Sequence, residues 1–319
     1  MSSKAQGNIV YHVCPVTSDN FEVFLNLFEI CRPDQYNRHA LINKYQSVTV
    51  FANGLRGFIA VDPSNNEAVA FLGVLPVKDF TKGESRLFIQ AVDGITHPDH
   101  RRKGLFELLK NEMIALSVCE GVKLIFGVPN PLALLAWKKF GWDVREMTLY
   151  SVSGNLSLFQ RTMRRWNYAT FYEKRAKKMS VDFVSRVEII PTSKSFIHAV
   201  FENPLDRSPE YLRYKLHTGT AVVQLPSGFA WIRCHKNVIE IGDVFGDDHR
   251  LILSQLCTWG RKYGVEMFRI VLPPSNEATT FFPGWTCTVY ETPMICNDLS
   301  ATERPGFIFG FSGGDFDTF

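Results

Sequence analysis

A chain of 319 residues with 35 Lys and Arg against 32 Asp and Glu carries a net charge of only +3, which argues against a nucleic-acid partner. Its 26 phenylalanines promise a well-filled core, and the length allows two domains or one large one. Seven scattered cysteines without a Cys-x-x-Cys pair offer no zinc or redox motif and fit reduced thiols of a cytoplasmic protein; no secretory leader or membrane-length apolar run is read, so no membrane partner is expected.

Taken in order, residues 1–8 are polar. A short strand is expected at 9–16 and a helix at 20–30, capped by Asp19 or Asn20. A second short helical segment with polar punctuation occupies 31–44. Strands at 47–53 and 57–61 flank a glycine-containing turn, and a longer strand at 67–77 passes through the Lys82-Gly83 turn into another at 87–96.

The most informative stretch is 91–121, a strand, a tight basic loop and a helix start. Leu105, Leu108, Leu109, Met113 and Leu116 recur at three- and four-residue steps, the pattern of a helix with one buried face. Arg101, Arg102 and Lys103 precede it, so cations crowd a helix end whose dipole favours anions. An external anion explains that choice: the N–H groups around Gly104, Leu105 and Phe106 would grip it, and Gly104 would let the backbone approach closely. The plain alternative is a solvated basic face.

The segment Arg101-Arg102-Lys103-Gly104-Leu105-Phe106 resembles the acyl-coenzyme A pyrophosphate loop of the GNAT N-acyltransferases, Gln/Arg-x-x-Gly-x-Gly/Ala. The likeness runs on through the buried strand within 121–130 to Ala133, Trp137 and Gly141-Trp142. There the family usually shows Asn-x-x-Ala-x-x-x-Tyr-x-x-x-Gly-Phe. Phe106 departs from the small residue that ends the loop. Trp137 departs from the tyrosine that protonates the leaving thiolate in many members. The resemblance implies an α/β (α+β) fold with a GNAT-type mixed sheet flanked by helices. It also implies acyl-CoA, acetyl or short-chain, as co-substrate, without a metal. The cofactor would lie between splayed parallel strands ending at Thr96 and Pro129. It would be held by Ile95, Thr96, Arg101, Arg102, Lys103, Gly104, Leu105, Phe106, Asn130 and Trp137. Asn130 reads equally as the cap of a helix starting at Pro131.

A strand at 143–152 closes the first domain, expected at 1–156. The stretch 159–179 interleaves cations with Trp166, Tyr168, Phe171 and Tyr172. A connecting amphipathic helix, placed at 157–186, is preferred there over a nucleic-acid reader, with contact to substrate phosphates left open. The second domain is expected at 187–319, and within it residues 187–300 repeat the first half in reduced form. Ser208-Pro-Glu-Tyr211 answers Arg32-Pro-Asp-Gln-Tyr36, Gly264-Val265 answers Gly121-Val122, and Gly284-Trp285 answers Gly141-Trp142. Where the basic loop should recur the chain reads Gly242-Asp-Val-Phe-Gly-Asp-Asp-His-Arg250. Acid replaces the cations, so this tandem copy is expected to be a degenerate GNAT-like domain that shapes the acceptor pocket and holds no pyrophosphate. The tail resembles the Gly-Asp-x-Asp ending of large two-domain relatives, several of which acylate nucleotide-linked amino sugars.

Acyl transfer from a thioester needs a neutral amine, so a base is sought near the loop. Asp93 is the first candidate and His97 the second; Asp315 and Asp317 lie further down the ranking. Asp93-Gly94 reads alternatively as a strand irregularity and His97-Pro98 as a turn. His97 and His100 lack a third ligand for a metal. Nucleotide-binding glycine motifs and a Gly-x-Ser-x-Gly elbow are absent. The expected activity is therefore direct acylation of a small-molecule primary amine, a nucleotide-linked amino sugar by the tail's likeness. An aminoglycoside, polyamine or protein lysine is the rival acceptor, and a non-catalytic acyl-CoA-binding module the rival class.

Overall fold

In the computed structural model the described residues are 10–46, 56–81, 84–155, 194–202, 204–216, 220–235, 238–263, 265–275, 281–299 and Asp315. The strand expected at 47–53, the Lys82-Gly83 turn, the connecting helix at 157–186 and Asp317 lie outside them. The chain divides into two units, each drawn from separate stretches: Met1–Val77, Leu87–Val144 and Met294–Thr302 in the first, Lys78–Arg86, Arg145–Pro293 and Glu303–Phe319 in the second.

In the first unit, β1 (His12–Pro15) pairs antiparallel with β2 (Gly57–Asp62), which pairs antiparallel with β3 (Glu67–Thr81). Next in the sheet come β4 (Glu84–Thr96) and β5 (Leu124–Gly127). These two run parallel, as a strand pair joined through a crossing helix does. That helix is α3 (Leu105–Cys119), which buries Leu105, Leu109 and Met113 against Ile89, Ile125, Leu72 and Val74. Leu108, one of the residues in the expected apolar stripe, is instead exposed.

Beyond β5, the last residues of β11 (Thr286–Asp298) close this sheet antiparallel, Ile295 opposite Gly127 and Asp298 opposite Leu124. The other face is covered by α1 (Phe21–Cys31) and α2 (Arg38–Gln46). Phe24 stands 4.4 Å from Phe71, and Tyr45 packs edge-on against the same ring at 5.4 Å. Asn20 occupies the cap position of α1, but its side chain accepts from Thr17 N and donates to Pro15 O, so it braces the preceding turn and caps nothing.

In the second unit, β6 (Asp143–Asn155) pairs antiparallel with β10 (Met267–Leu272), which runs parallel to β9 (Val238–Phe245). Two antiparallel neighbours follow, β8 (Gly228–His235) and β7 (Thr220–Leu225). The helices α5 (Phe196–Val200), α6 (Pro209–Lys215) and α7 (His249–Lys262) belong here. α7 links β9 to β10 as α3 links β4 to β5, burying Ile252, Leu253 and Leu256. Each unit therefore contains antiparallel strands and one pair of parallel strands joined by a crossing helix.

Candidate functional site

The basic loop is built by a tight turn over Pro98–His100, after which the chain twice enters the left-handed region, at Arg102 (φ 61°) and Gly104 (φ 77°). A Cβ on Gly104 would meet nothing within 4 Å, so its glycine serves the dihedral and leaves the backbone open to the outside. Arg101, Arg102, Lys103 and Gly104 are all exposed. Gly104 supplies no side-chain cap to α3, and among the described residues nothing accepts from the N–H groups of Lys103 to Phe106. Exposed cations and N–H groups without an acceptor among the described residues thus occupy consecutive positions, an arrangement suited to a diphosphate.

The loop is braced from below. His97 N donates to Val69 O at 2.8 Å, and the Tyr11 hydroxyl and His100 Nδ1 share a 3.0 Å hydrogen bond. Burial and the neighbouring Lys103 cation lower the His100 pKa.

Beside the loop, β4 and β5 stay paired from Phe88 opposite Leu124 to Gln90 opposite Phe126. β4 then continues to Thr96 while β5 ends at Gly127, so the parallel pair parts where the resemblance places the pantetheine arm. Ile95 is buried and Thr96 half-buried on the unpaired stretch. Asn130 is the N-cap of α4 (Pro131–Lys139), its Oδ1 accepting from Ala133 N at 2.9 Å. Phe106 packs edge-on against Trp137 at 4.8 Å, and its ring lies where a Cβ on Gly94 would touch it at 3.6 Å. Trp137 is 5% exposed and packs against Trp142, the ring centroids 4.2 Å apart and the planes tilted, so its bulk fills the core beside the site.

Asp93 lies inside β4 with φ 50°, a kink that turns its carboxylate toward α2. Lys44 Nζ and the Tyr45 hydroxyl both donate to Asp93 Oδ2, each at 2.6 Å. Burial alone would push this carboxyl up; the Lys44 ammonium and the two hydrogen bonds outweigh it and hold the group below the ordinary aspartate range. His97 Nδ1 accepts from Asp99 N at 3.3 Å, so the neutral ring carries its proton on Nε2. Lys44, Tyr45 and Gln90 were not singled out from the sequence. The one local signal for any of them is a glutamine amid the apolar run Leu87-Phe-Ile-Gln-Ala-Val92.

The corresponding place in the second unit is chemically different. Asp248 caps α7, its Oδ1 accepting from Leu251 N at 2.9 Å, so a helix-start donor of the kind left open on α3 is met here by the chain itself. Asp243 is fully buried, accepting from Ser195 Oγ and from Arg207 Nε. Asp315, ranked as a remote catalytic candidate, is 1% exposed and grips Arg207 through both carboxylate oxygens at 2.8 and 2.7 Å. The Tyr211 hydroxyl adds a third bond and Lys215 Nζ reaches the Asp315 carbonyl. These contacts give Asp315 a structural occupation. Among the described residues no helix is long and apolar enough to cross a membrane, and no cluster of three or more His, Cys, Asp or Glu could hold a metal.

No family model matches the sequence and no curated protein matches it. Solved structures do match. A GCN5-related N-acetyltransferase from Kribbella flavida superposes with a TM-score of 0.59 at 12% identity, over 92% of this chain and 72% of that one. A GCN5-related N-acetyltransferase from Anabaena variabilis gives 0.54 at 10% identity, over 91% and 73%. Eis1 from Mycobacterium abscessus gives 0.51 at 11%, over 91% and 74%. At such identities the likeness establishes the fold: a mixed α/β architecture, a β-sheet flanked by helices, shared with GNAT-type N-acetyltransferases along most of the chain.

Proposed function

We propose that this protein is an acyl-CoA-dependent N-acyltransferase that moves an acetyl or short acyl group onto a primary amine of a small molecule. One observation carries the reading: an uncapped helix start with orphan N–H groups and three exposed cations stands beside a parallel strand pair that parts. Those donors and cations would hold the diphosphate, and the unpaired edge of β4 at Ile95 and Thr96 would hold the pantetheine amides. Asn130, besides capping α4, borders the same opening.

In the reaction so read, the ammonium of the acceptor loses a proton and the free amine attacks the thioester carbonyl. The tetrahedral adduct expels the thiolate, which takes the second nitrogen proton, so one proton is released overall. Asp93, kept ionised by Lys44 and Tyr45, is a counter-ion for the arriving ammonium and a weak base. His97 is then the alternative proton acceptor, its Nδ1 lone pair becoming available when it releases its contact with Asp99 N. Trp137 offers no acid for the thiolate, which favours protonation from the substrate nitrogen or water.

A second reading, a non-catalytic acyl-CoA-binding module, is favoured by Trp137 alone. A nucleotide-linked amino sugar as acceptor is supported only by the tail's Gly-Asp-x-Asp likeness, whose first aspartate is occupied by Arg207. Incubating the protein with acetyl-CoA and a panel holding a UDP-linked amino sugar, kanamycin, spermidine and a lysine peptide separates these readings by free thiol. Release with one amine supports the transferase and names its class. Tight acetyl-CoA binding without release for every amine supports the module, and absence of binding overturns both.

A further inference from the structure

Gln90 sits on β4 at the last paired position before the strands part, and it is 2% exposed. Its Oε1 is buried without a hydrogen-bond partner among the described residues. A buried amide oxygen left unmet is uncommon and calls for an explanation in ligand or function. Three residues along, the two bonds that Asp93 receives both fall on Oδ2, so Oδ1 has no donor among the described residues.

The two oxygens belong to one face of the strand. A Cβ on Gly73 would meet the Tyr45 hydroxyl at 2.4 Å and Val92 Cγ2 at 3.1 Å, so Val92 and Tyr45 converge over Gly73. Gln90, two residues before Val92, shares its face by the pleat. The left-handed kink at Asp93 brings the next side chain to Tyr45 as well, where the alternation of a regular strand would have sent it to the other side.

This face therefore presents two unengaged acceptor oxygens, one of them a carboxylate oxygen, and both call for N–H donors. A primary ammonium supplies three such donors and a positive charge. The molecule already displays the pairing, because the primary ammonium of Lys44 lies 2.6 Å from the other Asp93 oxygen.

We infer that Gln90 Oε1 and Asp93 Oδ1 form the seat for the acceptor's ammonium group, with Gln90 as its positioning residue; this rests on the N-acyltransferase reading for its purpose but not for its binding chemistry. Lys44 and Tyr45 hold Asp93 in place from the opposite oxygen, and the seat selects primary amines over groups that lack N–H donors.

The test uses the full chain and small probes. Ethylammonium chloride should raise the thermal midpoint saturably, and tetramethylammonium chloride, with the same charge and no N–H, should not. Gln90→Met, close in shape, should bind ethylammonium at least tenfold more weakly and keep or raise the midpoint without ligand, since an orphan oxygen has been removed. Gln90→Leu repeats the comparison should the first variant fold poorly. Equal response to the two ammonium salts, or equal ethylammonium binding in wild type and variant, overturns the inference. A lower midpoint in both variants with unchanged ethylammonium binding assigns Gln90 a packing role and also overturns it. Acetyl-CoA binding, measured separately by calorimetry, decides the transferase reading: its absence beside an intact ammonium response would remove that reading and leave the seat.

Discussion

Arg207 and Asp315 meet through two parallel hydrogen bonds of 2.8 and 2.7 Å, both side chains almost wholly shielded from water. The pair is one part of a charge-balanced set in which Arg207 also holds Asp243 and Lys215 holds the Asp315 carbonyl. Asp315→Ala should therefore leave a buried guanidinium short of one counter-charge and destabilise the protein by about 3–5 kcal/mol. Asp315→Asn, which keeps the shape and half the acceptors, should cost less. Urea unfolding followed by tryptophan fluorescence measures both; a loss below about 1 kcal/mol in the alanine variant would contradict the assigned role.

The loop around Gly104 yields a prediction about binding with folding held constant. Arg102 and Lys103 are exposed and make no side-chain bond among the described residues, so Arg102→Glu with Lys103→Glu should leave the thermal midpoint within the small range of surface changes. Acetyl-CoA affinity should drop by roughly 100-fold, and the wild-type affinity should weaken with added salt, as screened charges require. Calorimetric titration at two ionic strengths checks this. Unchanged affinity in the double variant would remove the loop from the cofactor site.

What could be read in the residues and what could not divides along sequence distance. The helix at Leu105 and the strands before it announce themselves by local periodicity, and the crowding of Arg101, Arg102 and Lys103 is visible without any neighbour. Asn130 as a cap was legible for the same reason. The Lys44–Asp93 pair spans 49 residues and the Arg207–Asp315 pair 108, so no local pattern encodes either. The kink at Asp93 was open as an irregularity of Asp93-Gly94, but the side to which it turns the carboxylate depends on α2. The closing of the first sheet by residues 295–298 is equally nonlocal, since those residues follow most of the second unit.

Lys44 and Asp93 make a pH prediction whose sign follows from competing causes. In the wild type the aspartate is held below its ordinary range, so its contribution to stability is present above about pH 4 and fades as pH falls through the lowered value. Lys44→Met removes the main opposing charge and lets burial push the Asp93 carboxyl up. The variant should lose roughly 2 kcal/mol at pH 7, where it must keep a poorly compensated carboxylate, and the deficit should shrink toward pH 4 as that group takes up a proton. Denaturation at pH 4, 5.5 and 7 follows this, and a deficit that grows on acidification would contradict the pairing.

The two crossover helices permit a matched pair of cap substitutions. Asp248 closes the start of α7 through Leu251 N, whereas α3 begins at Gly104 with no side chain on its donors among the described residues. Asp248→Ala should cost about 1 kcal/mol and have no effect on acetyl-CoA, because that helix end is capped by its own carboxylate and is not where the cofactor is proposed to bind. Gly104→Asp should behave oppositely. Its carboxylate would turn back onto the donors of α3 and offset part of the strain of a left-handed residue, but it would place a negative charge where the diphosphate is proposed to bind. Stability should change little while acetyl-CoA affinity falls at least tenfold. If Gly104→Asp binds acetyl-CoA as the wild type does, the open helix end is not where the cofactor's charge resides.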